Sequence, residues 1–393
     1  MIYIDVTSAA SSAMNTGVQR SIRGTYELLS SQGEVTPLRW DFSARRYARL
    51  SPRETKLLTQ PFAFSPQSTG RPGYWDWLTS RGVFQDKWTR RKRGLPLVTL
   101  LKPDDVFFIP DLCWDKRIET WPELAGLPGR KVAIFHDAMP LRIPGQTDSK
   151  DQLFARYVRE LARLDGVICV SREVEQDLQY YWKAFGVTPR PTFVLPWPVP
   201  FFGERPHNPP NPASRSLIYV SRLRLRKNHL VLLEACERLW QEGLQFSLDL
   251  IGIADAFVDT WMVLRRVRHL FRRGRAVRWR RHVNEKELTQ AYQNCSFTVF
   301  PSRMEGFGLP ILESLWHRRP VICGSNGAIG EVAGGGGCLQ VDQNSAEELS
   351  GAIRHLLTDT AGYDRLYAEA GARTFRSWTD YGRDLAKVLS ANG

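Results

Sequence analysis

The chain has 393 residues, 42% apolar and 24% charged, which is a globular composition with room for two ordinary domains. Its net charge of +13 draws polyanions: nucleic acid, anionic lipid or phosphorylated substrates. No run of about 18 uncharged apolar residues occurs, so no transmembrane helix is expected, and the opening MIYIDVTSAASSA lacks the basic lead-in of a signal peptide.

That opening predicts a buried strand over residues 2–6. A helix over 18–29 follows, with apolar residues at 18, 22, 26 and 29 and a cap at Asn15 or Thr16. Next comes KWTRRKR at 87–93, flanked by Trp75, Trp77, Phe84, Trp88 and Leu95. Cations mixed with rings suit the interface of an anionic membrane, and a solvated charged loop is the alternative. Strands are predicted over 106–110, 132–135, 167–170 and 193–195, with a helix over 152–164. PWPVPFFGERPHNPPNP at 196–212 cannot be regular structure, because Pro removes backbone donors and fixes φ, so it reads as a linker.

Beyond it, strands are predicted over 217–220, 246–251, 276–279, 297–300, 321–323 and 338–341. Helices are predicted over 229–241 and 285–294, and a last one over roughly 381–390. The basic run RRVRHLFRRGRAVRWRR at 265–281 has Val267, Leu270 and Phe271 at helical spacing, so part of it is expected to pack on a core with its cations solvated. Alternating strands and helices imply parallel sheets covered by helices. Such sheets bind ligands beyond the carboxyl ends of their strands. The cysteines (Cys113, Cys169, Cys236, Cys295, Cys323, Cys338) are scattered, with no Cys-x-x-Cys pair. They read as free thiols of a reducing compartment with no zinc site, so a cytoplasmic location is expected.

The richest stretch is PSRMEGFGLPILESLWHRRPVICGSNGAIGE, 301–331. A strand runs into a turn holding Glu305, Gly306 and Gly308, and Pro310 starts a helix carrying Glu313. Glycines let a backbone approach a ligand closely, and a helix N-terminus is a ready anion site. One turn can therefore hold a phosphate while two carboxylates hold neighbouring hydroxyls, which describes a nucleotide sugar. After the strand at 217–220, the loop SRLRLRKN precedes a helix and makes a basic phosphate-binding corner.

The 301–331 stretch resembles the Glu-x7-Glu signature of retaining glycosyltransferases of family 4, here Glu305 and Glu313. The likeness extends through RPVICGSNGAIGEVAGGGGCLQVD, and the TGVQR loop resembles polysaccharide-type members. It implies the α/β GT-B fold, two Rossmann-like domains facing each other across a cleft that closes on the substrates. The expected division is an acceptor-binding domain over 1–205 and a nucleotide-sugar-binding domain over 206–375, with a terminal helix over 376–393 packing back on the first.

By the same resemblance, Arg222 and Lys227 touch the donor diphosphate, Glu305 the sugar hydroxyls and Glu313 the ribose. Gly306, Phe307, Gly308 and Leu309 lie along sugar and phosphate, and His282 and Val283 border the base; the family often has Gly where His282 stands. Arg224 and Arg226 either join the site or face solvent. Gly17 and Arg20 face the acceptor, and His136 contacts the reacting sugar, with Asp137 orienting it or bonding the acceptor. His136 and Glu305 are thus the catalytic candidates. The implied activity is transfer of a hexose from a nucleotide sugar to a saccharide, with retention and without metal or other cofactor. GDP-mannose is favoured, and UDP- and dTDP-linked sugars stay open. The acceptor is expected to be lipid-linked, with peripheral contact at an anionic membrane; a soluble glycoside is the alternative. A nucleic-acid partner is not expected, because no zinc finger, RNP-like motif or basic zipper is present.

Overall fold

The computed structural model describes residues 1–12, 16–59, 97–143, 148–199, 205–206, 209, 214–254, 258–281 and 283–391. The basic aromatic stretch at 87–93 with its flanking rings, Asn15 and His282 lie outside the described residues. The chain forms two compact units, Met1–Pro200 with Arg376–Gly393, and Phe201–Phe375. The division falls before residue 205, because Arg205 is already tied into the second unit. Its guanidinium donates to the carbonyls of Trp316 (2.9 Å) and Gly371 (2.8 Å), and to those of Leu315 and Ala370.

The first unit is built on a seven-stranded sheet. Its strands are β1 (Ile2–Asp5), β2 (Val35–Asp41), β3 (Arg46–Arg49), β4 (Val106–Ile109), β5 (Arg130–Phe135), β6 (Gly166–Cys169) and β7 (Thr192–Val194). The order is β3-β2-β1-β4-β5-β6-β7, parallel except for β3 against β2. The central strands are apolar runs buried on both faces, as parallel sheets require: Phe107, Phe108, Ile109, Ile134 and Ile168 are fully buried.

The β2–β3 hairpin is absent from the sequence reading. Pro37 inside β2 and the arginines of β3 resemble a loop, yet Leu38, Trp40 and Tyr47 are buried. Asp41 makes the turn, its Oδ1 accepting from the backbone N–H of Ser43 (2.9 Å) and Ala44 (3.1 Å).

Two helices of this unit meet through glycines. A Cβ on Gly24 of helix Gly17–Gln32 would run into the Trp378 indole of helix Trp378–Ser390, and one on Gly382 would lie 2.7 Å from Leu28. Gly24→Val is expected to lower the unfolding free energy of the chain by roughly 1–3 kcal/mol, the usual effect of overpacking. Urea denaturation checks this, and an unchanged midpoint would show that the terminal helix is not seated on Gly24.

The second unit is a parallel six-stranded sheet. Its strands are β8 (Ser216–Val220), β9 (Ser247–Ile251), β10 (Val277–Arg280), β11 (Phe297–Phe300), β12 (Val321–Cys323) and β13 (Cys338–Gln340). The order β10-β9-β8-β11-β12-β13 reverses direction between β8 and β11. Open α/β sheets take ligands at the carboxyl ends of the strands where such a reversal falls.

Helix Val258–Arg272, between β9 and β10, departs from its sequence reading. Val267 and Leu270 are buried, but Phe271 is 65% exposed and does not join the core. At 100° per residue Phe271 lies about a quarter turn from Leu270, on the flank of the helix. All six cysteines are free thiols, and only Cys338 is not buried. Among the described residues, no helix is long and apolar enough to cross a membrane.

Candidate active site

The loop after β8 and the loop after β11 lie side by side because β8 and β11 pair, Phe297 opposite Leu217 and Thr298 opposite Ile218. The first loop tightens into a 3-10 turn over Leu225–Lys227 and turns back through Asn228 in the left-handed region (φ 58°). Asn tolerates that conformation better than most residues. The Asn228 side-chain amide donates to the carbonyl of Gln343, and the buried Tyr219 hydroxyl donates to the carbonyl of Lys227 (2.6 Å). A Cβ on Gly252, at the end of β9, would strike the Ser221 carbonyl, so the Ser221–Arg222 backbone needs a glycine there. Arg222 itself is half-buried in this loop.

The second loop turns at Gly308 (φ 111°, ψ 39°), which caps helix Leu309–Trp316. The helix starts one residue earlier than expected, and Pro310 stands in its first turn, where a missing N–H costs nothing. Gly306 is buried; Phe307 and Leu309 are half-buried.

The two loops meet through charge. The Lys227 ammonium pairs with Glu305 Oε1. Arg226 Nη1 donates to Glu305 Oε2 (3.2 Å) and to the carbonyl of Met304 (3.0 Å), while Arg303 N donates to the Arg226 carbonyl (2.9 Å). Burial pushes the Glu305 carboxyl up, but Lys227 and Arg226 outweigh it and hold it at about 2. Glu305 is therefore an anion at every physiological pH. Arg226, which the sequence left between site and solvent, is a second cation on this carboxylate. Lys227 also lies 5.6 Å from the centre of the Phe300 ring. His229 Nε2 is 3.1 Å from Ser221 Oγ. Burial, reinforced by Lys227, lowers its pKa to about 3, so the ring is neutral.

Glu313 is 4% exposed, and its Oε2 accepts from the Tyr292 hydroxyl (2.7 Å). The Tyr292 ring stacks on His317 at 5.4 Å and 11°. Tyr292 was not among the residues the sequence pointed to; the only signal for it is that a Tyr buried on a helix usually finds a partner for its hydroxyl. Val283 packs against the core cluster that includes Ile218, Ile251 and Tyr292.

In the first unit, His136 follows β5 and is buried. Its Nε2 is 2.7 Å from the Pro110 carbonyl, which can only accept, so Nε2 carries the hydrogen and a neutral ring keeps Nδ1 as acceptor. Burial lowers its pKa, which keeps the ring neutral at pH 7. The ring stacks on Trp197, which stacks on Tyr381 of the terminal helix. Asp137 Oδ1 accepts from Met139 N (3.0 Å) and so shapes the next turn.

Gly17 opens helix Gly17–Gln32, and Thr16 is its cap, in a capping box with Gln19. Arg20, on the same helix, is buried. A network unforeseen from sequence fixes the ends of β1 and β4: Arg117 Nη1 donates to Asp5 (2.9 Å) and Asp111 (3.0 Å), and Ser8 N donates to Asp111 (2.9 Å).

Residues 203–373, nearly the whole second unit, match the family described as glycosyl transferases group 1. The second unit is therefore similar to the group 1 glycosyltransferases over nearly its whole length. The serotype-specific mannosyltransferase WbdA of Escherichia coli is 29% identical over 249 residues, 57% of this chain and 30% of its own. The O-antigen chain mannosyltransferase B of Escherichia coli is 32% identical over 144 residues, 36% of each chain. The matched region thus spans about a third of the length of these curated relatives.

Sucrose-phosphate synthase from Thermosynechococcus elongatus superposes with a TM-score of 0.66 at 17% identity, over 98% of this chain and 97% of that one. Anabaena Alr3699/HepE, in complex with UDP and glucose, gives 0.62 at 18% identity over 99% of both. The fold of this chain is GT-B.

Proposed function

We propose that the protein transfers a hexose from a nucleotide sugar to a saccharide acceptor, with retention of configuration and without a metal ion. The observation that carries this is the Lys227–Arg226–Glu305 cluster at the carboxyl ends of β8 and β11, beside the N-terminus of helix Leu309–Trp316. Cations held in a partly buried loop stabilise the charge that develops on a departing diphosphate, and Arg222 in the same loop adds a third. Glu305, kept anionic by its neighbours, accepts hydrogen bonds from hydroxyls of the transferred sugar. Gly306, Phe307, Gly308 and Leu309 line sugar and phosphate, and Glu313, held by Tyr292, receives the ribose.

On the first unit, Gly17, Arg20, His136 and Asp137 serve the acceptor. In the reaction the bond from the anomeric carbon to the phosphate oxygen breaks and a bond to the acceptor oxygen forms on the same face. The departing phosphate takes the acceptor proton. Mannose from GDP-mannose is the preferred donor, supported by the mannosyltransferases among the relatives and by the Arg226-Lys227-Asn228 sequence. A lipid-linked saccharide is the preferred acceptor, in polysaccharide or glycolipid synthesis.

The test is a panel of GDP-, UDP- and dTDP-sugars in excess EDTA, read by thermal shift and slow donor hydrolysis. GDP-mannose at 100 times its Kd should stabilise the fold by about 2.7 kcal/mol, a shift of several degrees. If no nucleotide sugar shifts the melt, the proposal fails; if one binds only with added divalent metal, its metal-independent part fails.

A further inference from the structure

Helix Val258–Arg272 carries a face that its own fold does not use. Thr260, Val263, Val267 and Leu270 are buried and form its inner stripe. On the other side Trp261, Arg265, Arg268 and Arg272 recur at steps of four, three and four, which is one stripe of a helix, and all four are exposed. Met262 and Phe271 flank that stripe.

Trp261 is 64% exposed, Met262 52% and Phe271 65%, so this one helix holds three of the seven exposed large hydrophobics among the described residues. Scattered singly they would need no explanation; borne on one helix, Trp261 on the arginine stripe with Met262 and Phe271 about a quarter turn to either side of it, they do. Beyond Asp259 in the first turn of the helix, the charge that follows is of one sign, since residues 265–281 contain nine arginines and no Asp or Glu. Acidic partners come from elsewhere and meet the margins: Glu237 pairs with Arg266 and lies 3.7 Å from Arg273, and Asp249 pairs with Arg278 at 2.8 Å.

We propose that this face, Trp261, Met262 and Phe271 set among Arg265, Arg268 and Arg272, docks the protein on an anionic lipid bilayer. Cations meet lipid phosphates while Trp and Phe enter at headgroup depth, where amphipathic rings are favoured. Nucleic acid offers the same phosphates, but a hydrated phosphate backbone gives Met262 and Phe271 no apolar phase to enter. The inference deepens the reading of a lipid-borne acceptor. Its test uses vesicles without any acceptor, so each reading can fail without the other.

Flotation of the full chain with phosphatidylcholine vesicles, with and without about 30% phosphatidylglycerol, provides that test. The protein should float with the anionic vesicles and stay behind with the neutral ones. Arg265→Gln/Arg268→Gln/Arg272→Gln should weaken binding roughly 100-fold, and Trp261→Ser/Phe271→Ser roughly 10-fold even at low salt. Both variants alter exposed side chains, and an unchanged thermal melt confirms that they are folded. The proposal is overturned if the parent chain does not float. Either variant floating like the parent also overturns it, because another surface then does the binding. Competition by RNA that is indifferent to Trp261→Ser/Phe271→Ser would make the face a nucleic-acid surface instead.

Discussion

Glu305→Gln is expected to cut sugar transfer at least roughly 100-fold, the scale set by losing one preorganised charged contact in the transition state. Glutamine keeps the shape of the side chain but removes the charge that Lys227 and Arg226 surround. The same substitution has a signature that needs no substrate. The Glu305 carboxyl lies at about 2 when folded, against an ordinary value of 4.5. A depressed carboxyl contributes stability that is fully present above the ordinary value and disappears as pH falls toward the folded one. The parent chain should therefore lose on the order of 3 kcal/mol between pH 5 and pH 2 that the variant does not lose. Urea unfolding of both proteins across that window measures the difference directly. If the two curves stay parallel, Glu305 is not paired in solution as described. If they converge but transfer survives, the carboxylate is structural and the site lies elsewhere.

Lys227→Met addresses the other side of the same pair. The Lys227 backbone stays anchored through its carbonyl to Tyr219, so the loop should hold its course. What disappears is the ammonium. Affinity for the free nucleoside diphosphate should fall at least roughly tenfold and kcat by roughly 100-fold or more, because negative charge on the diphosphate grows as it leaves. Isothermal titration and steady-state kinetics separate the two effects. Lys227→Arg should restore part of the affinity, since a guanidinium also binds phosphate, though with a planar fork in place of a point charge. Removing the ammonium takes away the largest of the influences that lower the Glu305 carboxyl and leaves Arg226 and the Ser302 hydroxyl, so its pKa should rise from about 2 toward the ordinary value. Unchanged diphosphate affinity in Lys227→Met would remove this residue from the donor site.

The two substitutions concern a region that was partly legible. The strand–turn–helix around Glu305 can be read locally, because the apolar run 297–300, the glycines and Pro310 all act within a few residues. Periodicity likewise marks the helices His229–Gln241 and Glu285–Asn294 and the buried parallel strands. The β2–β3 hairpin was not legible, because its burial depends on a neighbour that the local pattern does not reveal. Phe271 was misread for a related reason: helical spacing tells which residues share a stripe, and only the neighbouring elements tell how wide the buried stripe is.

By itself, then, the amino-acid order determined the alternation of strands and helices, the glycine turn before helix Leu309–Trp316 and the concentration of positive charge. Tertiary structure alone decided that Lys227 and Glu305, 78 positions apart, share an ion pair, that Arg226 joins them, and that Tyr292 holds Glu313. The reason is geometric. A backbone pattern arises from interactions within a few residues, whereas Lys227, Arg226 and Glu305 meet because β8 pairs with β11, and Tyr292 and Glu313 meet because the helices before and after β11 pack beside each other.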